Sequence, residues 1–254
     1  MTTKYFVVSD VHSFFSLLMQ KLEEQGFDIT NPCHKIILCG DGYDRGKEAK
    51  QMQDFLVSMM QQNRLIYVCG NHEDLLIDMV QELPNIVDHI EWTHHASNGT
   101  LDTLKQLTGM TISQIKRDPF RAQEYFYHTP FWKELVPNMV NYAEIGNYIF
   151  VHGWIPCFAH IDNWRDANNS EWKEVRWWNG MEMWHNKSCR EPGKTIVCGH
   201  WHCSWGHAYD NPTVYDEWGV LANFEPYERE GILAIDGCVA YSGVMNCIVI
   251  EIDN

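Results

Sequence analysis

Lys35-Ile36-Ile37-Leu38-Cys39 is a largely apolar run that stops at Gly40-Asp41-Gly42-Tyr43-Asp44-Arg45-Gly46, seven residues carrying two carboxylates, a guanidinium and three glycines. A run this short, bounded by glycine and polar residues, reads as a buried strand. The same design recurs four times: Tyr5–Val8 before Asp10, Leu65–Cys69 before Asn71, Tyr148–Val151 before His152, and Thr195–Cys198 before His200. Ligands of open α/β sheets bind beyond the carboxyl ends of the strands, so five metal-capable side chains at those ends would converge on one crevice.

Outward from these runs, helical spacing predicts helices over Phe14–Gln25, from about 47 to 62, and over Glu73–Leu83, which gives βαβαβ and a parallel sheet with right-handed crossovers. Residues from about 84 to 132 read as helical pieces broken by turns at Asn98-Gly99, Thr108-Gly109 and Asp118-Pro119, an insertion lying over or beside the crevice. From Met139 the pattern turns antiparallel, with a hairpin at Gly146-Asn147. A second hairpin is expected where Ile232–Ile235 and Val244–Ile252 flank Ser242-Gly243. The expected fold class is α/β: two packed mixed sheets, a β-sandwich flanked by helices, forming a single domain over 1–254.

The formal charge is −15, from 19 basic and 34 acidic residues, with no block of Lys or Arg. Long nucleic acid is therefore excluded as a partner, because binding its backbone draws on clustered positive charge. A short phosphorylated substrate is compatible with an acidic protein when bound cations supply local positive charge. Nine cysteines without a CxxC pair read as reduced thiols. The first residues enter a strand directly, and no apolar stretch reaches the roughly 20 residues a membrane span needs. A cytoplasmic protein is expected.

Within the motifs, Asp10-Val11-His12 places a carboxylate and an imidazole where both can face one cation. The glycines of residues 40–46 allow tight turns near an anion, Asp41 can bridge two cations, and Arg45 offers a planar fork to phosphate oxygens. In Gly70-Asn71-His72-Glu73, Asn71 supplies a neutral carbonyl ligand and His72 an imidazole able to pass protons. Val151-His152-Gly153 and Gly199-His200-Trp201-His202 complete the set.

In order and spacing, DVH, GDGYDRG, GNHE, VHG and GHWH resemble the calcineurin-like metallophosphoesterases. The DRG triplet is similar to the phosphoprotein phosphatase branch, which includes bacterial and phage Ser/Thr phosphatases and diadenosine tetraphosphate hydrolases. The resemblance implies that Asp10, His12 and Asp41 hold one metal and that Asp41, Asn71, His152 and His200 hold another. It also places His202 on the first metal, by the GHxH form of the wider superfamily, and calls for a second phosphate-binding arginine. Arg176 is the candidate, with Arg165 behind it.

A thiolate-free set of oxygen and imidazole ligands suits two ions of manganese, with iron or zinc as alternatives. Two such ions about 3.5–4 Å apart acidify water and clamp a phosphoryl group for in-line attack. In the expected reaction Arg45 holds the equatorial oxygens, His72 protonates the leaving oxygen and Asp44 orients His72.

The resulting expectation is a metal-dependent phosphoesterase acting on phosphomonoesters, with phosphoproteins as the leading substrates and dinucleoside polyphosphates as the alternative. Supporting the alternative are the acidic surface, the Asn98-Gly99-Thr100 segment and nine of eleven tryptophans lying beyond residue 153, most of which read as packing the second sheet while some are able to stack a base. A noncatalytic module that binds phosphorylated partners is the reading from another class. The combination of His72, Asp44 and Arg45 opposes it, since a binder has no use for a proton donor.

Overall fold

Alternation along the strands sorts the side chains into layers. In the computed structural model, which describes residues 2–253, β1 (Thr2–Val8) turns Phe6 and Val8 toward one cluster and Val7 toward another. Strand β2 (His34–Cys39) divides in the same way, with Ile36 and Leu38 on one side and Ile37 and Cys39 on the other. A period of two therefore builds a sheet buried on both faces.

The first sheet has the order β3-β2-β1-β9, where β3 is Leu65–Val68 and β9 is Cys247–Asp253. β1, β2 and β3 are parallel, while β9 runs antiparallel to β1 with Thr2 opposite Asp253. The second sheet has the order β4-β5-β6-β8-β7, built from Ala143–Ile145, Tyr148–Phe150, Thr195–Cys198, Ile232–Ala234 and Tyr227–Arg229 respectively. Between the sheets lie Val7, Ile37 and Val68 from one and Phe150, Val197 and Ile235 from the other, all essentially inaccessible to solvent. Cutting Ile37 back to alanine in such an interface costs about 2–5 kcal/mol.

Helices cover both outer faces. Over the first sheet lie α1 (Phe15–Glu24), α2 (Ala49–Gln61) and α3 (Asn71–Ile86), joined by the short helices of the expected insertion: α4 (His94–Ser97), α5 (Thr100–Thr108), α6 (Ile112–Arg117) and α7 (Pro119–Tyr127). Leu104, Ile115 and Phe126 tie those short helices into the same core. Over the second sheet lie α8 (Asn169–Val175), α9 (Gly180–His185) and α10 (Cys203–Asp210), with Trp154 and, from α8 itself, Trp172 buried in the core between them and the sheet. Among the described residues no helix is long and apolar enough to cross a membrane.

The two mixed sheets, the three first helices and the Gly146-Asn147 hairpin follow the sequence expectation. The second hairpin does not. Ile232–Ala234 pairs with β7 and β6 in the second sheet, whereas Cys247–Asp253 crosses to the first sheet and flanks β1. The segment between them, with the short helix α11 (Val239–Ser242) and Gly243 at φ 73°, is thus a crossover from one sheet to the other.

Candidate active site and metal centre

All five polar stops lie at the carboxyl ends of their strands and meet where the two sheets adjoin. Asp10, Asp41 and Asn71 follow β1, β2 and β3, and His152 and His200 follow β5 and β6. The backbones come so close there that glycine is required. A Cβ on Gly70 would run into the Asp41 carboxylate, and one on Gly199 into Ser9 and the Asp10 carboxylate.

Left-handed backbone concentrates at the same place. Asp10, His12, Asp41, Asp44, Arg45 and His200 all have φ between 46° and 73°. Such conformations cost of order 1–3 kcal/mol each and persist only where surrounding structure imposes them. Part of that structure is the buried Glu73 carboxyl, which accepts from the backbone nitrogens of Asp41 (2.9 Å), Gly42 (2.9 Å) and Gly70 (2.8 Å) and from the Tyr67 hydroxyl (2.7 Å). Burial pushes this carboxyl up from its ordinary value while these donors pull it back.

Among the described residues two groups of side chains could hold a metal ion: His12, Asp41 and His72, and Asp41, His152 and His200, each with its ligand atoms within 4.8 Å of one another. Asp41 serves both. Its Oδ2 lies 3.9 Å from Nε2 of both His12 and His72, and its Oδ1 lies 3.3 Å from His152 Nε2. Asn71 joins the second group through Oδ1, 2.7 Å from His152 Nε2. Asp10 lines the same cleft, but its Oδ2 is taken by the Ser9 hydroxyl and the His200 backbone nitrogen, and it stands outside both groups.

The hydrogen bonds show that this donor set fits a cation. His152 Nδ1 donates to the Cys39 carbonyl (2.8 Å), and His12 Nδ1 donates to the Tyr43 carbonyl (2.8 Å). Each ring then presents a bare Nε2, because the tautomer is fixed by the bond the other nitrogen makes. At His152 that lone pair faces two more acceptors, the Asn71 and Asp41 oxygens, with no hydrogen between them. Burial also lowers His12 and His152 from their ordinary values and brings His200 down to about 4, keeping the rings neutral, while it raises Asp10 and Asp41. A bound cation would offset the raised acids by stabilising their anions, and the lowered rings are already in the neutral form that a ligand needs.

His72, a member of the first of these groups by distance, also pairs with a second carboxylate. His72 Nδ1 lies 2.7 Å from Asp44 Oδ2. Asp44 is itself held by the Thr100 hydroxyl on Oδ2 (2.8 Å) and the Thr103 hydroxyl on Oδ1 (2.7 Å), both from the first turn of α5. Gly99, at φ 87°, packs so tightly on the Arg45 backbone that a Cβ would strike its nitrogen. The exposed Arg45 side chain projects into the cleft and has no hydrogen bond or ion pair among the described residues.

The cleft, about 370 Å³, brings together Asp10, His12, Asp41, Arg45, Asn71, His72, His200 and His202, with Trp177, Trp201 and Trp218 on its walls. His202 is present but not in either ligand group. Its Nδ1 lies 2.8 Å from Ser204 Oγ and its Nε2 3.3 Å from Glu217 Oε1. Arg176 is not brought to the cleft. Its guanidinium is taken by Asp74 Oδ2 on α3 (2.6 Å) and Asn141 Oδ1 (2.6 Å), and it lines a separate depression with Cys69. Arg165 is likewise engaged elsewhere, by Glu144 and Glu191. Sequence gives Thr103 no role, places Thr100 only within Asn98-Gly99-Thr100 and Glu73 only at the end of GNHE, and reads Asp236, at the end of an apolar run, as structural rather than a ligand.

A sequence model described as calcineurin-like phosphoesterase matches residues 3–226. The chain is 36% identical over 78 residues to the asymmetrical bis(5'-nucleosyl)-tetraphosphatase PrpE of Anoxybacillus flavithermus, an overlap of 28% of this chain and 32% of that protein. It is 23% identical over 126 residues to the enzyme of the same name from Bacillus velezensis, covering 47% of this chain and 48% of that one. The chain therefore aligns with at most about half the length of these curated relatives. Among solved structures, one provisionally named a diadenosine tetraphosphatase superposes with TM-score 0.53 at 14% identity, over 98% of this chain and 93% of that chain. A mutant cold-active protein tyrosine phosphatase superposes with TM-score 0.57 at 15% identity, over 97% and 75%. At these identities the superpositions establish a shared fold.

Proposed function

The chain belongs to the calcineurin-like phosphoesterase family, and from that premise we propose that it is a metal-dependent phosphohydrolase that cleaves a phosphoanhydride bond of a small nucleoside polyphosphate. The observation that carries the reaction class is the His72–Asp44 pair set 2.7 Å apart beside Asp41, the carboxylate shared by the two ligand groups. The relatives named bis(5'-nucleosyl)-tetraphosphatase support the substrate class, and so does a cleft of small-molecule size. Phosphoproteins, the leading substrates on sequence grounds, are the rival to be tested.

In this reading Asp41, His12, Asn71, His152 and His200 hold two ions, manganese first, with Asp10 completing the set. Such ions supply Lewis acidity and an activated water at neutral pH. The remaining steps belong to side chains. Arg45, with no hydrogen bond or ion pair among the described residues, holds the phosphoryl oxygens through its fork of donors. His72 gives a proton from its ring to the departing oxygen, and Asp44 keeps the ring oriented and stabilises its charged form. The helices between about 84 and 132 belong to the same catalytic unit, since Thr100 and Thr103 fix Asp44.

The test is product analysis with added manganese on diadenosine tetraphosphate and on a phosphoserine peptide. The proposal expects metal-dependent cleavage of the nucleotide at the higher kcat/KM. Preference for the peptide would overturn the substrate class, and loss of neither activity in His72→Ala would overturn the proton donor.

A further inference from the structure

Of the three indoles on the cleft wall, Trp201 is half-buried and packs on the second-sheet core, whereas Trp177 and Trp218 do neither. Trp154, Trp164 and Trp172 are buried in its core, whereas Trp177 is 47% exposed and Trp218 is 45% exposed. Both line the cleft that holds Asp41, Arg45 and His72. They flank the segment carrying the histidines. The Trp177 ring sits 5.7 Å from His200 at 82°, and Trp218 sits 4.1 Å from His202 and 4.9 Å from Tyr241, the latter at 84°. Among the described residues no ring contact joins the two indoles to each other.

Each is thus fixed by an aromatic neighbour, yet neither is spent on the core. Isolated exposed apolar residues need no explanation, but two large rings turned into one polar cleft amount to an unsatisfied apolar surface beside the reacting centre. A phosphate alone cannot use that surface, because its oxygens are met by Arg45 and the ligand groups. A flat aromatic group attached to the phosphate can.

We propose that Trp177 and Trp218 form a nucleobase subsite, gripping a base of the substrate while its phosphate chain lies on Arg45 and the metal-ligand side chains. This rests on the nucleoside polyphosphate reading above and adds the residues that select such a substrate. Stacking on an indole is tolerant of base identity, because every base has a π face. The subsite therefore selects nucleotides as a class and discriminates little among bases.

The test separates this inference from the reading beneath it. Titration calorimetry on the manganese-loaded protein gives the affinities for AMP and for inorganic phosphate, and their ratio measures what the base adds. Trp177→Ala and Trp218→Ala should each lower the ratio about tenfold, the stacking contribution of one ring. Trp177→Phe and Trp218→Phe should keep most of it, and Trp92→Ala, whose ring is 89% exposed and outside the cleft, should match the parent. A parent that cleaves diadenosine tetraphosphate while the alanine variants keep the parental ratio overturns the subsite and leaves the function standing. Equal losses of both affinities, with the ratio kept, mark a structural role and also overturn it. A parent that neither cleaves the nucleotide nor prefers AMP to phosphate overturns both.

Discussion

Asp44 reaches His72 across 28 residues of sequence, its Oδ2 2.7 Å from Nδ1, with both side chains buried at the cleft floor. The ring is therefore held in one orientation from behind while Nε2 points to Asp41. Replacing His72 by alanine should lower kcat by about 10²–10⁴, the range for a positioned proton donor, with a small change in KM. Steady-state kinetics on a nucleotide substrate checks this. Unchanged kcat would remove His72 from the chemistry.

Asp44 is in turn fixed by Thr100 and Thr103. Thr103→Val keeps the side-chain shape but removes a hydroxyl from a buried carboxylate, an imbalance worth about 1–3 kcal/mol. Activity should fall more in kcat than in KM, and Thr103→Ser should restore most of it. If valine and serine behave alike, the hydroxyl does not position the pair.

Because ligands come from the ends of both sheets, metal binding should clamp one sheet to the other. A ligand present at 100 times its Kd adds about 2.7 kcal/mol to stability. At about 2–4 °C per kcal/mol for a chain of this size, chelation should lower Tm by roughly 5–10 °C, reversed by manganese. Calorimetry with and without chelator measures the shift, and no shift would mean that the ligand groups do not bind metal in solution.

Asp236 lines the cleft, and burial pushes its carboxyl up to about 6. A raised acid favours the folded state fully only below its unfolded value near 4, and that contribution is lost as pH rises through 6. Chelated protein should thus gain about 1–3 kcal/mol from Asp236→Asn at pH 7.5 and nothing at pH 4. His200 and His202, lowered by burial to about 4, act with the opposite sign, their stabilisation being lost as pH falls from 6.5 through 4. The variant-minus-parent difference in Tm isolates Asp236. A difference that does not grow with pH would contradict its burial as an acid.

Gly99 tests how firmly the insertion seats Arg45. At φ 87° and in contact with the Arg45 backbone, it has no room for a Cβ. Gly99→Ala should destabilise the protein by about 1–3 kcal/mol and raise KM more than it lowers kcat, since it displaces Arg45 and not His72. Thermal melts and kinetics on one preparation decide it.

The strand ends were legible because each apolar run stops at a residue that no core would accept. A polar stop after Val8, Cys39 or Cys69 is a local signal. By contrast, Thr100 and Thr103 reach Asp44 through packing between segments 56 and 59 residues apart, and nothing near either threonine announces that contact. The engagement of Arg176 was hidden for a related reason: the resemblance calls for a second arginine, but nothing local announces that Asp74, one turn into α3, pairs with Arg176. The expected hairpin at Ser242-Gly243 failed because an apolar run does not name its partner, and burial against β1 decided where residues 247–253 went. The exposed indoles were visible as tryptophans but not as different from their buried neighbours.

The pairing of β9 with β1 also sets a timetable. β1 precedes β9, with Thr2 and its partner Asp253 separated by 251 residues, so the edge of β1 waits for that intervening segment to be synthesised before its neighbour arrives. Until then the nascent chain carries an open, apolar strand edge, a template for pairing with other chains. Cellular yield should accordingly depend on chaperones that shield that edge during synthesis.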